Sequence, residues 1–187
     1  MLRRSVLCLV VVLITVPVRA AEMLSIVVDH NEGIYTMTSE VWFDASVEQV
    51  YEIFRHWDHS TKFSSAIVES RDLPADEQGR AQFYVRNKGC VLFFCTSFER
   101  QGFVESEAHV VINAYADPAV SDFSLSNERW QFESRDGGTV VVYDLEMSPK
   151  FWIPPVIGPY FIKRKFKNNG DRAIDRIELL AQGVTVD

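Results

Sequence analysis

The chain has 187 residues, 47% of them hydrophobic, with 26 acidic against 19 basic side chains and a net charge near −7. That length suits one domain with a core of its own. The acidic balance argues against nucleic acid as a partner, because phosphate backbones are held by clustered Lys and Arg.

Met1-Leu2-Arg3-Arg4-Ser5 is a positive start, and Val6 to Val16 then runs almost unbroken in aliphatics. The run is too short for the ~20 residues a membrane-spanning helix needs, so it reads as the core of a signal peptide. Val18 and Ala20 supply the small residues before a cut between Ala20 and Ala21. The expectation is a signal peptide over 1–20, one ligand-binding domain over 21–187, and a periplasmic or secreted destination. Loss of Arg3, Arg4 and Arg19 brings the mature charge to about −10. Cys8 leaves with the leader, and Cys90 and Cys95 remain. In an oxidising compartment they can form a disulfide. Residues five apart on one regular strand point to opposite faces, so a bridge needs a bulge or turn within 91–94; two buried thiols are the alternative.

Ile34 to Ala45 alternates in the manner of a strand, with Tyr35, Met37, Val41 and Phe43 on one face. Ser46-Val47-Glu48-Gln49 has the form of a capping box, and Val47, Val50, Tyr51 and Phe54 give the following short helix an apolar stripe. Further strands are expected over 66–73, 81–88, 91–101, 108–116, 127–133 and 139–147. Asp136-Gly137-Gly138 makes a tight hairpin between the last two. Neighbouring strands with no helix between them pair antiparallel. From near Pro159 the period changes again. Phe166, Gly170, Ala173, Ile174, Ile177, Leu180 and Ala181 lie on one face of a long helix.

This order resembles the START-like (SRPBCC) superfamily, in its polyketide cyclase/dehydrase and coenzyme-Q-binding branch. The resemblance rests on Phe43-Asp44-Ala45-Ser46, the helix 47–54, Asp58, Trp130-Gln131-Phe132, the hairpin Gly137 to Tyr143 and the proline-containing approach to the last helix. It implies an α+β helix-grip fold in which a curved antiparallel sheet of about seven strands wraps a long C-terminal helix around a cavity. It also implies lipid carriers, quinone binders or a minority of enzymes, without choosing among them.

The residues expected to line a pocket are Phe83, Trp130, Phe132, Tyr143, Trp152, Tyr160, Phe166, Ile174 and Ile177, all apolar or aromatic as a greasy ligand requires. A solid core would use the same residue types. Phe151 to Ile162 is strongly apolar, yet three prolines deny it a continuous helix. Lys163, Arg164, Lys165 and Lys167 follow at once, a combination suited to an anionic membrane surface. The bland reading makes the loop a plug and the charges a solvated helix start. His56-Trp57-Asp58-His59 finds no third ligand of matching spacing, so no metal site is assigned. It reads as a surface helix end with Asp58 capping amides. Asp144 and Glu146 should face solvent, opposite Tyr143. No nucleophile elbow, zinc-protease motif or phosphate loop is present, and no cofactor or catalytic residue is assigned.

The leading expectation is a non-catalytic binder or carrier of a hydrophobic small molecule. A cyclase or dehydratase would instead need two polar titratable side chains converging in the pocket. A protein-interaction module would use the 151–162 loop and have a filled interior.

Overall fold

The computed structural model describes residues 20–91, 94–153 and 158–186. The leader expected over 1–20 therefore lies almost wholly outside the described residues. The chain runs β1 (Glu22–Asn31), β2 (Ile34–Phe43), α1 (Val47–Arg55), a 3-10 turn at Trp57–His59, α2 (Ser60–Phe63) and β3 (Ile67–Leu73). It continues with β4 (Ala81–Val91), β5 (Phe94–Glu107), β6 (Val111–Ala116), β7 (Phe123–Arg135), β8 (Gly138–Pro149) and α3 (Gly158–Ala181). The strands form one antiparallel sheet in the order β1-β2-β8-β7-β6-β5-β4-β3. With its helices this is the helix-grip START fold.

Eight strands replace the expected seven. The addition is β1, along Glu22–Asn31: its exposure alternates but no position is fully buried, and Ile26-Val27-Val28 put apolar residues on both faces, so its sequence lacked the apolar/polar alternation that marked the others. It is an edge strand, joined to β2 through Glu32 and Gly33 at φ 49° and 83°. Two successive left-handed residues are what a tight hairpin turn demands. Asp136 and Gly137, at φ 55° and 79°, make the expected turn between β7 and β8 in the same way. Ser46 and Gln49 close the expected capping box at the head of α1.

One boundary needs correction. The single strand expected over 91–101 spans the end of one hairpin, with β4 ending at Val91 and β5 starting at Phe94. Cys90 and Cys95 are consequently cross-strand partners and form a disulfide. The chain reverses direction between Val91 and Phe94, as the bridge required, so the two cysteines stand on different strands.

The apolar core gathers where α1 and the second half of α3 cross the sheet. Val41, Phe43, Val50, Tyr51, Ile112, Phe132, Val141, Ile174, Ile177 and Ala181 form one buried cluster. Trp57, Phe83, Val85 and Ala114 form a second, with the Trp57 and Phe83 rings stacked at 4.2 Å. Gly102 marks where β5 and β6 approach most tightly. A Cβ there would lie 1.9 Å from the Tyr115 carbonyl oxygen, so only glycine fits. Gly102→Ala is expected to destabilise the fold by roughly 2 kcal/mol or more, read from urea unfolding.

Candidate functional site

In β7 and β8, alternate side chains point into the concavity that α3 covers. Register pairs Phe132 with Val141, Trp130 with Tyr143, Glu128 with Leu145 and Ser126 with Met147. All eight share one face. Asp144 falls on the other face and accepts a 2.6 Å bond from the exposed Thr38 hydroxyl, while Glu146 is exposed.

The inner face is not uniformly apolar. Glu128, 7% exposed, receives Arg100 Nη1 at 2.9 Å and the Tyr143 hydroxyl at 2.6 Å on the same oxygen, Oε1. Arg100 comes from β5, in phase with Gly102 and Val104. Burial opposes the Arg100 charge, but the Glu128 carboxylate outweighs it and holds the guanidinium above its ordinary pKa. Burial first, and then the negative Glu128, push the Tyr143 phenol well above its usual value, so it stays a donor. The Trp130 ring stacks on Tyr143 at 5.1 Å and shields the trio from one side.

Polar capacity is left over on this face. Arg100 Nε, Asn87 Nδ2 and Ser126 Oγ are buried without a hydrogen-bond partner. Asn87 shares its face with Phe83 and Val85 on β4, next to Arg100 through the β4–β5 register. Buried donors normally find partners. Donors left spare beside an ion pair can take up a polar group of a ligand. The sequence reading missed this cluster. Its signal was nevertheless present: Ser126 and Glu128 occupy the same inward phase as Trp130 and Phe132.

The structure distributes the other expected lining residues. Phe132, Ile174 and Ile177 sit in the closed core cluster, and Phe83 is buried against Trp57. Tyr143 belongs to the polar trio, and Trp130 borders it. Phe151 stacks on Phe98 at 5.3 Å and meets Phe123 edge-on at 5.7 Å. Trp152 and Tyr160 stand at the surface, 71% and 61% exposed. Between them, residues 154–157 lie outside the described residues, as do the side chains of Phe166, Lys165 and Lys167. Arg164 is exposed, whereas Lys163 pairs with Asp29 at 3.2 Å. A separate open cleft of about 250 Å³ lies away from this face, lined by Arg80, Gln82, Gln101, Phe103 and Val120 among others.

The histidine segment also differs from expectation. His56 precedes the 3-10 turn and Asp58 lies within it, so Asp58 caps nothing; Asp72 of β3 accepts the Trp57 N–H at 3.3 Å instead. Asp72 is also the third group that spacing alone did not reveal. His56, Asp58 and Asp72 bring potential ligand atoms within 4.8 Å of one another. Both carboxylates are exposed, and His56 already faces Glu52 at 3.5 Å, so the group is a surface charge cluster.

Residues 43–172 match the family model for polyketide cyclase / dehydrase and lipid transport. The chain belongs to that family. Its fold recurs in a START superfamily protein from Mycobacterium smegmatis, with TM-score 0.61, 18% identity and coverage of 80% of this chain and 99% of that one. A STAR-related lipid transfer protein from Xanthomonas axonopodis gives 0.60 at 14% identity, covering 84% and 98%. The di-domain ARO/CYC BexL of the BE-7585A biosynthetic pathway gives 0.59 at 12%, covering 81% of this chain and 51% of that one. At these identities the likeness is one of fold. Comparison with curated proteins finds no match.

Arg100→Met leaves Glu128 buried without its cation and is expected to cost roughly 3–5 kcal/mol. Arg100→Met combined with Glu128→Leu should recover most of that loss in urea unfolding. A double variant as unstable as the single one would mean the pair is not buried together.

Proposed function

We propose that the protein is an exported binder or carrier of an apolar small molecule with a polar end, a lipid, a quinone or a compound of that kind. The observation that carries this reading is the Arg100–Glu128–Tyr143 trio on an otherwise apolar and aromatic concave face, with Arg100 Nε, Asn87 Nδ2 and Ser126 Oγ unpartnered. Burial of the apolar part would supply affinity, at about 25 cal/mol per Å² removed from water. The trio would fix which end goes in first. Family membership and the fold shared with a protein described as a lipid transfer protein support it. The leader-like start and the Cys90–Cys95 disulfide support export to an oxidising compartment.

The rim at Trp152 and Tyr160, with the exposed Arg164 beside it, would dock on anionic lipid while the ligand passes. No described helix is long and apolar enough to cross a membrane. Contact would therefore be interfacial.

A cyclase- or dehydratase-type enzyme is the second reading, and one observation favours it. A neutral phenol and a carboxylate stand 2.6 Å apart beside a guanidinium, the convergence of titratable groups that proton transfer needs.

Native mass spectrometry of gently purified protein should show a co-purifying hydrophobic molecule, and repeated preparations of clean apo protein would overturn the carrier reading. The recovered molecule should survive prolonged incubation unchanged; turnover abolished by Glu128→Gln would establish the enzyme instead. Trp152→Ala with Tyr160→Ala should lower co-sedimentation with phosphatidylglycerol vesicles several-fold.

A further inference from the structure

Glu178 lies in the last turn of α3 and is 7% exposed, yet it has no cationic side chain within 4.0 Å among the described residues. Its two oxygens are occupied by backbone. Oε1 accepts from Asp44 N at 2.9 Å, and Oε2 accepts from Ala21 N at 2.7 Å. The position suits a carboxylate badly. A helix C-terminus is the negative end of the macrodipole, and the last turn of α3 has no basic residue to offset it. A buried carboxylate normally demands a counter-charge.

Ala21 is also the residue at which the leader reading places the new N-terminus. We propose that removal of the leader creates the missing cation: the α-ammonium of Ala21 forms a half-buried ion pair with Glu178 that locks β1 onto α3 only in the processed chain. In the uncut chain Ala21 N is an amide and offers one neutral donor. Hydrolysis of the Ala20–Ala21 bond adds water across it, leaving a carboxylate on Ala20 and an amine on Ala21 that is protonated at neutral pH. The same atom, already 2.7 Å from Oε2, then carries a positive charge.

The surroundings fit a latch. Ala21 and Met23 pack against the cluster that contains Ile174, Ile177 and Ala181. A Cβ on Gly170 would stand 3.0 Å from Met23 Cε, so β1 passes close over α3 there. Lys163 pairs with Asp29 near the other end of the strand. The Gln182 amide donates to the Asp44 carbonyl at 3.3 Å, tying the end of β2 to the same helix terminus. Leader removal would thus tighten the helix that covers the binding face, and the exported form would differ from its precursor in stability without any change of side chain.

The inference takes its first residue from the export reading, and its test separates the two. Protein beginning at Ala21 is compared with the same protein carrying a two-residue Gly-Ser extension and with its N-terminally acetylated form, each with Glu178 and with Glu178→Gln. The Ala21 form should melt about 3–6 °C above both blocked forms. With Glu178→Gln the three should melt together. Equal melting of free and blocked forms in the Glu178 background would overturn the ion pair, as would a difference that survives Glu178→Gln. Mass spectrometry of the exported protein should give Ala21 as its first residue; any other start would overturn the processing role while leaving the melting result to stand for the engineered terminus.

Discussion

The concave face of one eight-stranded sheet must be buried, and α3 is the long helix laid across it. Each of Ile174 and Ile177 contributes about 1.5–3 kcal/mol by leaving water against β2, β7 and α1. That seating fixes everything else. It brings the strand β1, absent from the expected seven, against the flank of the helix.

The trio itself is not an efficient way to stabilise a sheet. A buried ion pair roughly recovers its own desolvation cost, and apolar residues of equal volume would pack as well or better. What Arg100, Glu128 and Tyr143 add is direction. A phenol held protonated and a guanidinium held charged present fixed dipoles on a face whose neighbours are Val85, Leu145 and Trp130. Under the proposed reading, this is why the ligand would carry one polar group rather than be wholly apolar.

Period-two alternation was enough to put Trp130, Phe132 and Tyr143 on the inner face and Asp144 on the outer one. The capping box at Ser46 and the Asp136-Gly137 turn were equally legible, because each is a local contract between a few adjacent residues. Depth was not legible. Phe132 and Trp130 share a face and a residue type, yet Phe132 is buried in the closed core while Trp130 is half-buried and borders the trio. The Arg100–Glu128 pair joins positions 28 apart that no local pattern links. The hairpin between Cys90 and Cys95 was hidden because Val91-Leu92-Phe93-Phe94 contains none of the Gly, Pro, Asn or Asp that usually mark a turn.

Along β7 and β8 the inner face changes character in order. At Phe132 and Val141 it is closed against Tyr51 and Ile177; two residues on it carries the Trp130–Tyr143 stack; then comes Glu128 with Arg100; and at Phe123 it meets Phe98 and Phe151. Beyond Phe151 the chain reaches the exposed Trp152. A ligand entering from that rim, under the proposed reading, would pass aromatic rings before its leading end met the guanidinium. The sealed Phe132 end would stop it there. Such a layout favours a molecule that enters polar end first and leaves its tail among the rings, so the length of the apolar part, more than its shape, would set how far it protrudes toward the docking surface.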